Sequence, residues 1–100
     1  MILEHADIRI DPSRSATFEE AIQRGLNTVI GQAKGYIGSE VRRSIESPGR
    51  YLLLIRWETL ENHTVDFRGS DAFTQWRAIV GPFFAAAPQV EHFELVASSD

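Results

Sequence analysis

The stretch RYLLLIRWETLENHTVDF, Arg50–Phe67, decides the fold. It opens as a strand that is apolar on both faces, with Tyr51, Leu53, Ile55 and Trp57 on one side and Leu52 and Leu54 on the other until Arg56 interrupts. A strand with that pattern is covered on both sides. Thr59 then caps a short helix on which Leu60, His63 and Phe67 share one face, so a tryptophan and a histidine are brought close to the end of one strand.

Working outward, Ser47-Pro48-Gly49 immediately before this strand is a β-turn, with proline and glycine where such a turn wants them. Upstream of it Ile37, Val41 and Ile45 alternate with polar residues, which makes the pair a hairpin. At the start of the chain Ile2, Ala6, Ile8 and Ile10 fall on one face against Leu3, His5, Asp7 and Arg9, the period of a strand, ended by Asp11-Pro12. From Ser15 to Lys34 the recurrence of Phe18, Ile22, Leu26, Val29, Ile30 and Ala33 predicts an amphipathic helix, with Gly35 as its left-handed cap. Ser70 caps a further helix with Phe73, Trp76, Arg77 and Val80 on one face, stopped by Gly81-Pro82. A last strand has Phe93 and Leu95 opposed to His92 and Glu94. The order β-α-β-β-α-α-β predicts an α+β fold, a ferredoxin-like four-stranded antiparallel sheet with helices on one face. A single domain over 1–100 is expected, with no linker or repeat. The face carrying Leu52 and Leu54 has no helix to cover it, and a second copy of the chain is expected there.

Composition excludes several classes. Net charge is −4 without runs of like sign, so nothing resembles a nucleic-acid surface. No segment reads as a membrane span, and the N-terminus lacks the basic and continuously apolar regions of a secretion signal, so a cytoplasmic location is expected. There is no cysteine, which removes disulfides, thiolate nucleophiles and sulfur-ligated metals. His5, His92 and Glu94 on two strands could imitate a metal cluster, but the spacing is no metal signature and no metal is expected.

With these residues in view, the segments Gly35–His63, Phe67–Phe84 and Val90–Val96 resemble the antibiotic biosynthesis monooxygenase family of the dimeric α+β barrel superfamily. The resemblance rests on Pro48-Gly49-Arg50, Trp57, Glu58, His63, the helix start at Ser70–Trp76, and Val90-Glu91-His92-Phe93. It implies a homodimer forming a dimeric barrel, with a pocket in each protomer between sheet and helices. It also implies cofactor-free oxidation of a small electron-rich aromatic by dioxygen, the substrate anion itself supplying the electron. The family's aromatic plate falls on Trp57 and its cation on Arg77, while its tyrosine position holds His63 and its asparagine position holds Leu53. His63 is expected to titrate near neutrality and act as base. Leu53, Ile55, Leu60, Phe67, Phe73, Trp76 and Phe83 are expected to wall the substrate pocket. Haem-degrading relatives draw their axial histidine from the last helix, where this sequence has Trp76. The competing reading is a non-enzymatic homodimer that binds a small apolar molecule, with Trp57, His63 and Arg77 serving as core or boundary residues.

Overall fold

The computed structural model describes residues 1–100. Four strands, β1 (Ile2–Arg9), β2 (Tyr36–Arg43), β3 (Arg50–Trp57) and β4 (Gln89–Glu94), form one antiparallel sheet in the order β2-β3-β1-β4. Helices α1 (Ser15–Thr28) and α2 (Asp71–Val80) pack on one face of it, which makes the fold ferredoxin-like, as the alternation of periods predicts.

The inner face is set by the period of two. Tyr51, Leu53, Ile55 and Trp57 of β3 are buried, with Ala6 and Ile8 of β1 beside them. Phe18, Ile22 and Leu26 of α1 and Trp76 and Val80 of α2 close the core from the other side. Glu19 ties α1 to the sheet, accepting from the Tyr51 hydroxyl at 2.6 Å and from Arg43 at 2.9 Å. The hairpin turn is of type II: Arg50 donates to the Ser47 carbonyl at 3.2 Å, and Gly49 holds φ +79° at the position that needs glycine.

Several local expectations change. Helix α1 ends at Thr28, and a 3-10 turn, Ile30–Gln32, carries the chain to Gly35 at φ +81°. Two β-branched residues followed by Gly31 weaken the α-helix there. In β2 a bulge between Tyr36 and Gly38 breaks the alternation, so Tyr36 faces inward opposite Trp57 while Ile37 is left exposed. Ile45 lies in the loop and is 94% exposed. At the start of α2, Ser70 occupies the cap position, but its hydroxyl donates back to the Phe67 carbonyl at 2.6 Å and caps no amide.

The segment after β3 is the main departure. Asn62–Phe67 is wound as a π-helical turn, with Arg68 N–H reaching the His63 carbonyl at 3.1 Å. The wider i→i+5 ring rotates residues relative to an α-helical wheel. Asn62, His63 and Phe67 consequently face the sheet, and Leu60 is 40% exposed.

Candidate functional site

The inner end of β1 carries a carboxylate where the apolar alternation calls for an aliphatic residue. Glu4 is buried, and its Oε1 accepts from the Trp57 indole Nε1–H at 3.0 Å. The same oxygen lies 3.3 Å from His63 Nε2. The other ring nitrogen, His63 Nδ1, is 2.7 Å from His92 Nε2. Three titratable side chains from β1, the π turn and β4 thus form a continuous line. Strand register places two of them: Ala6, Glu4 and Ile2 of β1 stand opposite Val90, His92 and Glu94 of β4, so Glu4 and His92 share the inner face. The π turn brings the third. Its start is fixed by a reciprocal cap, Asn62 N–H donating to Thr59 Oγ1 at 3.2 Å and Thr59 N–H to Asn62 Oδ1 at 3.1 Å. Asn62 is tied onward through its amide to Asp66 at 3.1 Å.

The His63 ring is stacked on the Trp57 indole, with centroids 5.4 Å apart and planes 13° apart. Phe67 leans on both rings. In this dry setting burial pushes the Glu4 carboxyl up to about 7, against the Trp57 hydrogen bond and the Arg68 charge, which favour ionisation. Burial pushes His63 down to about 4, reinforced by the Arg68 charge and by His92. His92 is lowered as well, by burial and then by Arg68. At neutral pH the imidazole of His63 is therefore neutral, and Glu4 is the group that titrates there. The expectation that His63 titrates near neutrality is corrected on this point.

Glu4 and His63 open onto a cavity of about 730 Å³ between the sheet and α2, a size suited to a small organic ligand. Ala6, Ile8 and Leu53 form its floor, Phe67, Phe73 and Trp76 its helical wall, and Phe84 and Val90 its far side. Arg68 and Arg77 add two guanidinium groups, Arg77 lying over the Phe73 ring at 5.7 Å. Of the expected pocket residues, the fold brings Leu53, His63, Phe67, Phe73, Trp76 and Arg77 to one space. Four are elsewhere. Trp57 is wholly buried beneath His63, so its ring face is already taken and cannot act as a plate for a ligand. Ile55 is sealed in the core. Leu60 is turned outward by the π winding. Phe83 packs edge-on against Phe18, under Arg14, and its neighbour Phe84 reaches the cavity instead.

Sequence reasoning missed Glu4. The signal was available, since period two places it with Ala6, Ile8 and Ile10 on the apolar face, where an acid is out of place. Strand position alone groups His92 with His5, but His5 stands opposite Glu91 on the outer face and packs edge-on against Phe93 at 5.7 Å. The imidazoles do not converge as that grouping required. Arg68 had no sequence signal, because its place depends on the π turn.

The family model described as antibiotic biosynthesis monooxygenase matches residues 1–79, a span that holds Glu4, His63, Arg68 and Arg77 but not His92. The chain is 38% identical over 94 residues to the uncharacterized protein YczJ of Bacillus subtilis (strain 168), covering 94% of this chain and 98% of that one. A crystal structure from Bordetella bronchiseptica carrying the same family name is 44% identical, with TM-score 0.90 over 96% of this chain and 97% of its own. One from Caulobacter crescentus is 25% identical, with TM-score 0.80 over 96% and 90%.

Proposed function

The chain belongs to the antibiotic biosynthesis monooxygenase family, and from that membership we propose that it is a cofactor-independent monooxygenase acting on a small electron-rich phenol, hydroquinone or polyketide-like aromatic with dioxygen. The observation that carries the reading is a buried carboxyl, Glu4, raised to about 7 and facing a largely apolar cavity. A base that titrates at working pH is the group such chemistry needs, since it is ionised often enough to accept a proton and basic enough to hold it.

In the proposed cycle the aromatic lies against Phe67, Phe73 and Trp76, and the Glu4 carboxylate takes the phenolic proton. The resulting anion gives one electron to dioxygen, and the radical pair joins at a ring carbon. Loss of water then leaves a quinone, with one oxygen atom in the product and the other in water. Arg68 and Arg77 in the cavity wall offset the negative charge of the phenolate and of reduced oxygen. Trp57 contributes indirectly, through its hydrogen bond to Glu4 and its stacking under His63.

Oxygen uptake with a panel of hydroquinones and anthrone-like phenols, in the presence of EDTA, tests the proposal. Uptake that resists the chelator and falls by about two to four powers of ten in Glu4→Gln is expected. EDTA-sensitive uptake would overturn the cofactor-free mechanism. Tight binding of the panel with no uptake would favour the alternative, a non-enzymatic homodimer that binds small molecules.

A further inference from the structure

Glu4, His63 and His92 are joined more closely than a base and its neighbours need to be. Both ring nitrogens of His63 are engaged, one toward Glu4 at 3.3 Å and one toward His92 at 2.7 Å. His92 is only half-buried and lies on β4, an edge strand, and it is not part of the cavity wall. The line therefore begins at the cavity and ends at a partly exposed side chain outside the cavity wall.

Two hydrogen-bonding patterns fit the same heavy-atom positions. With Glu4 ionised, His63 Nε2–H donates to Glu4 and His92 Nε2–H donates to His63 Nδ1. With Glu4 protonated, its O–H donates to His63 Nε2 and His63 Nδ1–H donates to His92 Nε2. The second pattern holds one proton more than the first. That proton is gained at His92 Nδ1 while each internal proton moves one bond inward, so neither ring ends as an imidazolium and nothing crosses the cavity. Removing a proton from His92 Nδ1 runs the same shifts outward and leaves Glu4 as a carboxylate.

We propose that His63 and His92 form a proton relay through which Glu4 exchanges its proton with solvent while a ligand fills the cavity. The wire needs no substrate to exist; its service to turnover rests on the oxygenase reading above. There it solves a definite problem. The phenolic proton is returned in the water that is lost, so turnover releases no net proton, but a ligand that binds while Glu4 is protonated closes its direct route to solvent. The relay lets Glu4 ionise beneath it. The groups facing the relay fit this use. Arg68 acts on all three members and disfavours a persistent imidazolium at His63 or His92. β3 presents only the Trp57 indole, which donates to Glu4 and does not titrate. β2 presents Tyr36, edge-on to Trp57 and bonded to Ser39 at 2.8 Å. From α2, Arg77 reaches the cavity without pairing to an acid of the line. The two side chains thus act as positioning and relay residues, with Glu4 as the group that would touch substrate.

The test reads tautomers rather than activity. Nitrogen-15 spectra of the histidine rings in the ligand-free wild-type protein should show His63 as the Nε2–H tautomer above the Glu4 titration and as the Nδ1–H tautomer below it, with one shared midpoint. A His63 tautomer that stays the same across that titration would overturn the relay, and no variant has to fold for the result to count. With a turned-over phenol, His92→Phe should lower kcat with little change in KM, and added imidazole should restore it. An unchanged kcat would overturn the relay in turnover. A tautomer switch in a protein that consumes no oxygen would uphold the relay and remove only the oxygenase reading.

Discussion

Glu4 sits where burial and chemistry pull against each other. Its carboxyl is raised from 4.5 to about 7, so the folded state holds the proton more tightly than the unfolded chain does. Ionising it therefore costs stability, progressively, as pH rises from about 4.5 to about 7. His63 is lowered from 6.5 to about 4, and it works in the opposite sense: stability is lost as pH falls through that window, because the buried ring must charge. Glu4→Gln keeps an acceptor for the Trp57 indole and removes the charge. It should stabilise the protein at pH 8 by a few kcal/mol, roughly 3 at most, and have little effect near pH 4. Urea unfolding at the two pH values checks this, and an equal effect at both would mean that Glu4 is not a buried titrating acid. Trp57→Phe removes a hydrogen bond that favours Glu4 ionisation and leaves a void under His63. A cost of about 1–3 kcal/mol is expected, together with an upward shift in the midpoint of the activity-pH profile. A midpoint that stayed in place would separate Glu4 from the base role.

At the scale of the element, the π turn Asn62–Phe67 does the positioning. A regular α-helix over the same residues would have put Leu60 with His63 and Phe67 on the inner face, as the sequence spacing suggests; the wider turn replaces Leu60 by Asn62. Asn62 holds the turn at its start, so Asn62→Ala should cost about 1–2 kcal/mol and weaken the His63–His92 hydrogen bond. The first effect is measurable by denaturant melts and the second by the histidine nitrogen shifts. The strands and both α-helices were legible because their hydrophobic periods depend only on local sequence. The cavity's Leu53, Phe67, Phe73 and Trp76 were legible for the same reason. Leu60 and Arg68 were not, since no local pattern announces an i→i+5 turn. Nor was the meeting of Glu4 with His92, which depends on the register of two strands far apart in sequence. The period of two puts Trp57 on the inner face, but no local pattern shows that His63 covers it.

For the whole molecule, the outer face of the sheet is the open question that the packing poses. Leu3, Leu52 and Leu54 are only partly covered there, and Phe93 is 44% exposed, with no helix on that side. We propose that a second copy covers this face, burying on the order of 2,000 Å² in total. Sedimentation at micromolar concentration should then show a dimer, and Leu54→Asp should dissociate it; a folded wild-type monomer at that concentration would count against the proposal. The strand order has a further consequence, for the protein as it is being made. β1 is central, yet its two partners, β3 and β4, are both translated after it. A nascent chain that has emerged only as far as α2 has one edge of β1 unpaired and Glu4 without the strand that carries His92. Because such non-local pairing is slow and leaves an open edge exposed to other chains, a ribosome stalled before β4 would display a sticky three-stranded sheet in which Glu4 and His63 lack the outer end of their relay. Arrival of the last strand would close the edge and wire the site in a single event.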